Sequence, residues 1–286
     1  MQITLNDSRI LAYEEYGSAN GMPIFFFHGI PGSRIFRPPD EITAKMKVRL
    51  ICVDRPGYGF STFQLNRTIL SWANDIAQLA DQLGIKQFSV MAHSGGTPYV
   101  CACAYAMRDR VTCATIISGL APADAPNILN DMIATNTMGM KVGRYIPWAL
   151  WYPLMWMFYR EGLEHPEKII KPDAKNPNSP DTKVFSEHPD FLTLCRASTR
   201  EAFHQGMRGH AWEAYLLVRP WGFDLDKIKV PIFLWHGVKD ADASIHMGRY
   251  MASQIPNCKA TFLDHEGHLL LYNHWEEIIK EHIGAS

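Results

Sequence analysis

Ser94 lies at a sharp change of sequence pattern. The apolar stretch 88–93 has strand character and ends at this serine, two glycines follow, and a helical pattern begins at Thr97. A strand, a tight turn and a helix in this order form a nucleophile elbow, whose strained turn exposes the residue at its apex. Small neighbours, here Ala92 and Gly96, let the strand and the helix pass closely. Ser94 could therefore act as a nucleophile if a nearby base removes its proton.

The motif around Ser94 has one irregularity. The usual pattern is Gly-x-Ser-x-Gly, and Ala92 takes the place of its first glycine. Serine beside glycine is also common in ordinary turns, where it has no catalytic role. A turn serine therefore remains the alternative to a nucleophile, unless other parts of the chain supply a base and a group that orients it.

Other loops that could carry chemistry also follow apolar runs with strand character. They are residues 28–33, 54–61, 236–244 and 264–268. The loop 54–61 has Gly-x-Gly spacing, but it lacks the third glycine of a dinucleotide site and opens no helix. His265 and His268 are accompanied by neither a His-Glu-x-x-His helix nor a carboxylate cluster, so we expect no metal site and no cofactor.

These loops are positioned by alternating strands and helices. Between residues 23 and 117, apolar strands alternate with helical patterns over short links, and 68–83 is a clear amphipathic helix. Such alternation is typical of an α/β fold with a mostly parallel, doubly wound sheet, here of about eight strands. Ligands of these sheets bind at the C-terminal ends of the strands, where the loops above are expected to converge.

The alternation stops after Gly119 and resumes with the apolar run 230–235. The residues between are rich in Trp, Met, Tyr and Pro, and parts of them have helical spacing. We expect residues 121–225, called the insertion below, to form a mainly helical cap. The α/β core would then comprise residues 1–120 and 226–286.

Composition excludes several classes of function. The formal net charge is −1 and 47% of the residues are hydrophobic, which is typical of globular proteins and gives no basic surface for nucleic acid. The uncharged segment 145–159 is shorter than the roughly 18 residues needed to span a bilayer and contains two prolines, so we expect no transmembrane segment. Six cysteines without a C-x-x-C pair are expected to be free thiols. With no signal-peptide pattern at the N-terminus, a cytoplasmic location is expected.

Five segments together resemble the α/β-hydrolase family. In the order of the family they are His28-Gly29-Ile30-Pro31-Gly32, the loop 54–61, His93-Ser94-Gly95-Gly96, His236-Gly237-Val238-Lys239-Asp240 and Gly267-His268. The resemblance runs from about Tyr13 to the C-terminus and is weakest in the insertion. It implies the doubly wound fold described above and a serine hydrolase activity.

The family's order of nucleophile, acid and histidine implies a catalytic triad of Ser94, Asp240 and His268. The histidine would take the proton of the serine hydroxyl, and the carboxylate would fix its tautomer and stabilise the imidazolium. His28 is expected to be an orienting residue that packs under the loop 28–33. His93 is expected to be a surface neighbour of the elbow.

Alternatives remain at two of these positions. The acid could instead be Asp124 or Asp242, and the histidine could be His265. By the same resemblance, the oxyanion hole would consist of the backbone N–H groups of Ile30 and Gly95, the second of which begins a helix whose N-terminus favours negative charge.

The insertion is expected to determine the substrate. Some of its apolar residues could line a pocket, although packing within the insertion is the simpler role, and the candidates are Trp148, Trp151, Met155 and Trp156. We expect a small carboxylic ester with an apolar part, cleaved through an acyl-enzyme intermediate. A homodimer is one possible assembly.

Other activities share this triad. They include prolyl aminopeptidase-like, lactonase and C–C hydrolase activities, and a non-enzymatic receptor for a small ligand is a further alternative. An aminopeptidase would need carboxylates of the insertion to hold the amine of its substrate. Those available are Glu161, Glu164, Glu201 and Glu213.

Overall fold

A computed structural model describes residues 1–173 and 176–284, and within this range eight strands form one sheet. The strands are β1 (Gln2–Thr4), β2 (Ile10–Gly17), β3 (Met22–Phe27), β4 (Val48–Val53), β5 (Phe88–His93), β6 (Val111–Ile117), β7 (Ile232–Gly237) and β8 (Cys258–Leu263). Their order across the sheet is β1-β2-β4-β3-β5-β6-β7-β8. The pairs β1–β2 and β2–β4 are antiparallel and all others are parallel. The prediction of a mostly parallel sheet of about eight strands is confirmed.

The register of the parallel strands aligns their C-terminal ends. Phe27 of β3 lies opposite Ala92 of β5, Ala92 opposite Ile116 of β6, and Ile117 opposite Trp235 of β7. Loops that leave these strands therefore emerge at one edge of the sheet, which is where doubly wound folds bind their ligands.

Helices cover both faces of the sheet. In the core they are α1 (Asp40–Lys45), α2 (Trp72–Gln82), α3 (Thr97–Ala106), α10 (Ile245–Gln254), α11 (Leu270–Asn273) and α12 (Trp275–Ile283). Phe25 and Phe27 of β3 pack in the apolar cluster that includes α2, α3 and α10. Ile24 and Phe26 point to the opposite face, in a cluster with α12. The continuous apolar run of β3 is thus explained, because a strand covered on both faces needs apolar residues at every position.

The insertion supplies six helices within the described residues. They are α4 (Ala134–Gly143), α5 (Trp148–Glu164), α6 (Pro166–Ile169), α7 (Pro180–Glu187), α8 (Pro189–Ala202) and α9 (Arg208–Leu217). Residues 174 and 175 of the predicted insertion, and residues 285 and 286 of the predicted core, lie outside the described residues. The division into core and cap remains a prediction.

The helix α5 contains most of the uncharged segment identified in the sequence. It is 17 residues long and has Pro153 inside it. Across residues 1–173 and 176–284, no helix combines the length and the apolar character needed to cross a membrane.

Candidate active site

Ser94 lies at the apex of the turn between β5 and α3. Its φ of 53° is in the left-handed region, which residues other than glycine seldom occupy. Such strained conformations often occur at functional sites. Thr97 stabilises the turn, because its hydroxyl donates to the Ser94 carbonyl at 2.7 Å and accepts from the Leu120 N–H at 3.2 Å. The strand, turn and helix expected around Ser94 are therefore all present.

The turn allows no side chain at Gly96. A Cβ there would lie 2.5 Å from the carbonyl oxygen of Phe27 and 2.9 Å from the Cβ of Ala92. Cβ atoms do not approach backbone oxygen so closely, so β3 and the turn can pack together only if residue 96 is glycine. The methyl group of Ala92 fits because the residue it faces has no side chain.

Asp240 and His268 are brought together from two loops, one after β7 and one after β8. The His268 Nδ1–H donates to Oδ2 of Asp240 at 2.8 Å. The other carboxylate oxygen, Oδ1, accepts the backbone N–H groups of Asp242 and Ala243 at 2.9 and 2.8 Å. The carboxylate is thus fixed by three donors, and Nε2 is the atom of His268 left free to accept a proton.

The alternative residues lie elsewhere. Asp124, Asp242 and His265 are exposed, whereas Asp240 and His268 are buried. Of the three aspartates, Asp240 is the one that hydrogen-bonds to His268. The geometry therefore favours Asp240 and His268, whose catalytic roles remain a prediction.

Burial and charge shift the pKa values of Asp240 and His268 in opposite directions. Burial alone would lower the pKa of His268, but the charge and hydrogen bond of Asp240 raise it above the ordinary value of 6.5. Burial alone would raise the pKa of the Asp240 carboxyl, but the charge of His268 and the hydrogen bonds to the carboxylate keep it below 3.8. The pair therefore favours an ionised aspartate and an imidazolium, the state that a general base reaches on taking a proton.

His93 connects the elbow to the His268 loop. Its Nε2–H donates to the backbone oxygen of His268 at 2.9 Å, and the two rings lie 4.8 Å apart. The elbow therefore lies against the loop that carries His268. The prediction that His93 is a surface residue was wrong: the side chain is buried, and burial lowers its pKa to about 3. His93 was misassigned because its contact lies 175 positions away in the chain.

The backbone of Ile30 lies close to the elbow. A Cβ added to Gly95 would lie 2.5 Å from Cγ2 and 3.4 Å from the backbone nitrogen of Ile30, and one added to Gly29 would lie 3.7 Å from Oγ of Ser94. No acceptor for the Ile30 N–H is found within residues 1–173 and 176–284. Glycine at position 95 thus lets Ile30 pack closely on the elbow, and Gly29 adds no side chain beside Oγ of Ser94. The use of these two N–H groups remains a prediction.

The four candidate pocket residues differ in environment. Trp151 and Met155 are buried in a cluster with residues of α9 and of the segments on either side of α9, and the indole Nε1–H of Trp151 donates to the Ala211 carbonyl at 2.9 Å. Trp148 packs edge to face on Trp212 at 4.7 Å, whereas Trp156 is 47% exposed. These contacts support packing within the insertion for the first three, and a pocket role remains a prediction.

A buried ionic cluster, bound to the carbonyl groups of His28 and Gly29, was not predicted. Arg55, from the loop 54–61, donates to Glu213 of α9 through Nε at 2.8 Å and also through Nη2. Arg67 donates to the same carboxylate at 2.8 Å and to the Tyr99 hydroxyl at 2.8 Å. Burial would raise the pKa of Glu213, but the two arginines keep it below its ordinary value. A single arginine in a glycine-rich loop gave no sequence signal for this cluster.

Three of the four carboxylates available to hold an amine are paired with basic side chains. Glu213 is occupied by Arg55 and Arg67, Glu201 pairs with Arg34 at 2.8 Å, and Glu161 pairs with Lys168 at 2.5 Å. Glu164 is exposed. Among the described residues, no group of three or more His, Cys, Asp or Glu side chains is arranged to hold a metal ion.

Part of the chain is similar to a known protein family. The family model described as alpha/beta hydrolase fold matches residues 22–146. A proline iminopeptidase from Xylella fastidiosa is 32% identical over 119 residues, which are 38% of this chain and 36% of that protein. The chain thus matches only about a third of this curated relative.

Solved structures match over nearly the whole chain. A thermophilic esterase from Thermogutta terrifontis has a TM-score of 0.72 and 22% identity, covering 99% of this chain and 96% of that one. An enol-lactonase from Burkholderia xenovorans has a TM-score of 0.69 and 18% identity, covering 99% of this chain and 98% of that one. The sheet order, the elbow and these matches together show that the chain has the α/β-hydrolase fold.

Proposed function

We propose that this protein is a serine hydrolase that cleaves a small carboxylic ester with an apolar part. The observation that carries the proposal is the buried Asp240–His268 hydrogen bond beside a serine at the apex of a strained strand-to-helix turn. A serine hydroxyl is a weak nucleophile on its own, and this arrangement provides both a base and a group that orients the base.

In the proposed reaction, Oγ of Ser94 attacks the ester carbonyl carbon while its proton passes to Nε2 of His268. The negative charge forms on the carbonyl oxygen, where the N–H groups of Ile30 and Gly95 would receive it. When the intermediate collapses, the C–O bond to the alcohol breaks and His268 returns the proton to the leaving oxygen. Water then attacks the acyl-enzyme by the same steps and releases the acid. Residues 121–225 would form the cap that selects the substrate.

The relatives support an ester more than a peptide. Esterase and lactonase structures match over nearly the whole chain, whereas the iminopeptidase matches over a third of its length. Of the carboxylates that could hold an amine, Glu161, Glu201 and Glu213 are already paired with basic side chains, and Glu164 is exposed. Hydrolysis of a lactone ester remains within the proposal, since the bond is the same.

Labelling with a fluorophosphonate probe tests the nucleophile. The probe should label the wild-type protein and fail to label Ser94→Ala. Ser118→Ala is a matched control, because Ser118 is also buried, also follows a strand and has a φ of 49°. Equal labelling of wild type and Ser94→Ala would refute the proposal.

A panel of p-nitrophenyl esters of increasing acyl length would then define the substrate class. We expect turnover that is lost in Ser94→Ala and retained in Ser118→Ala. Turnover of amino-acid arylamides without ester turnover would favour an aminopeptidase. No turnover of esters or lactones, together with thermal stabilisation by a small apolar ligand, would instead indicate a receptor.

A further inference from the structure

The carbonyl group of Gly29 is held by two donors. Nη2 of Arg55 donates to it at 3.0 Å and Nδ1 of His28 at 2.8 Å. Nη1 of Arg55 donates to the preceding carbonyl, that of His28, at 2.6 Å. One guanidinium thus spans two consecutive carbonyl oxygens of the loop that leads to Ile30, which fixes the orientation of that loop.

The Gly29 carbonyl and the Ile30 N–H are two ends of one peptide unit. The unit is planar and trans, so its C=O and N–H bonds point in opposite directions. Donors that hold the oxygen on one side therefore aim the N–H to the other. A cation at the oxygen also polarises the unit and makes its N–H a stronger donor.

Arg55 is itself fixed by the insertion. Its side chain is fully buried and is bound through Nε and Nη2 to the carboxylate of Glu213, a residue of α9. Its guanidinium also lies 4.9 Å from the ring of Tyr99, whose hydroxyl donates to Glu213 at 3.2 Å. With these contacts on every side, Arg55 has no other rotamer available without breaking buried polar interactions.

We propose that Arg55, held by Glu213, is a positioning residue that aims and polarises the Ile30 N–H of the oxyanion hole. Through Glu213, the insertion then contributes to the rate of the reaction as well as to the choice of substrate. The inference rests on the proposed hydrolase function, because it concerns the charge that forms on the ester oxygen.

The first variant is Arg55→Lys, which keeps the charge but cannot span both carbonyls. We expect kcat for a p-nitrophenyl ester to fall by about 10- to 100-fold, below the loss seen when an oxyanion donor is removed outright. KM should change by less than about threefold, because the donor acts mainly on the transition state. Arg9→Lys is the control, since Arg9 also binds a buried carboxylate, that of Asp75, at 2.6 and 2.8 Å, and the other partner of its guanidinium is Asp7.

A trifluoromethyl ketone separates an effect on the oxyanion from general damage. Ser94 Oγ adds to the ketone carbon, the serine proton passes to His268, and the oxyanion occupies the hole. In Arg55→Lys the affinity for this ketone should fall by the same factor as kcat/KM. An unchanged affinity, a loss that appears only in KM, or an equal loss in Arg9→Lys would overturn the inference.

A second variant and a hydrogen-exchange measurement also test the role of Arg55. If Arg55→Lys does not fold, Glu213→Asp is the second variant, because it keeps the charge and withdraws the carboxylate by one methylene. In Glu213→Asp, kcat and the affinity for the ketone should both fall, and by the same factor. Amide hydrogen exchange at His28, Gly29, Ile30 and Gly32 should be faster in the folded variant than in Arg9→Lys, and equal rates would contradict the inference. This exchange needs no substrate, so if the wild type cleaves no ester, the proposed function is refuted and the exchange rates still decide whether Arg55 holds the loop.

Discussion

The loops at the strand ends and the helices of the insertion place their functional groups in different ways. In the loops, Ser94, Asp240 and His268 each follow the end of a strand, and the sheet register determines where these ends lie. In the insertion, Trp151 and Glu213 face inward because of contacts between helices and with the core. Positions fixed by a sheet leave local motifs in the sequence, whereas positions fixed by helix packing leave only an apolar composition.

The two regions also differ in the substitutions that they tolerate. A loop at a strand end depends on backbone conformation, so glycines such as Gly96 cannot change without moving the loop. The insertion depends on side-chain volume and on a few buried charges, and similar volumes can be repacked. Mutations in the two regions should therefore affect different quantities.

The largest effect should come from Asp240. Asp240→Asn would lower kcat by about 10⁴-fold, because the amide can donate where His268 needs an acceptor and the wrong tautomer is favoured. Asp124→Asn, at an exposed aspartate that is an alternative acid by sequence, should change kcat by less than about twofold, as surface substitutions usually do little. Steady-state kinetics on one ester measures both, and comparable losses would show that the acid is misassigned.

A large effect on stability should come from the insertion. Trp151→Ala removes a buried indole and its hydrogen bond to Ala211, which should cost about 3–5 kcal/mol of unfolding free energy. Trp156→Ala, at a side chain that is 47% exposed, should cost less than about 0.5 kcal/mol. Urea unfolding measures both, and a rise in KM in the folded Trp156 variant would support its predicted place in the pocket.

Two glycine–alanine exchanges compare neighbouring positions of the elbow. Gly96→Ala should cost about 1–3 kcal/mol and displace Ser94, because its Cβ would meet the Phe27 carbonyl. Ala92→Gly should leave kcat/KM within about threefold, since the removed methyl faces Gly96. Thermal unfolding and ester kinetics test the pair, and a large change in Ala92→Gly would mean that its methyl group helps hold the turn.

The smallest effect should be a shift in the pH profile through the insertion. Asp181 of α7 accepts the Leu269 N–H at 2.7 Å, and its charge contributes to the raised pKa of His268, with larger contributions from Asp240 and then Asp242. A general base must be neutral, so kcat/KM should rise with pH through this pKa. Asp181→Asn keeps an acceptor but removes the charge, so the rise should move to lower pH. His93 and His236, which also face this site, are unchanged in the variant, and an unmoved profile would contradict the coupling.

Much of the core could be predicted from the sequence for physical reasons. The helix predicted over 68–83 is present as Trp72–Gln82, because its apolar residues recur on the face that packs against the sheet. The elbow was predictable because the turn demands small residues at fixed positions beside Ser94. The burial of His93 could not be predicted, since a histidine between an apolar strand and a serine belongs to no sequence pattern that indicates burial.

The sequence by itself determined the alternation of strands and helices and the loops that hold Ser94, Asp240 and His268, because backbone conformation and strand burial constrain nearby residue types. Only the tertiary structure decided which of three aspartates meets His268, and that Arg55 and Glu213 lie buried together across 158 positions of the chain. Such contacts depend on how separate elements pack. A charged side chain gives no sign in its local sequence of the partner that makes its burial possible.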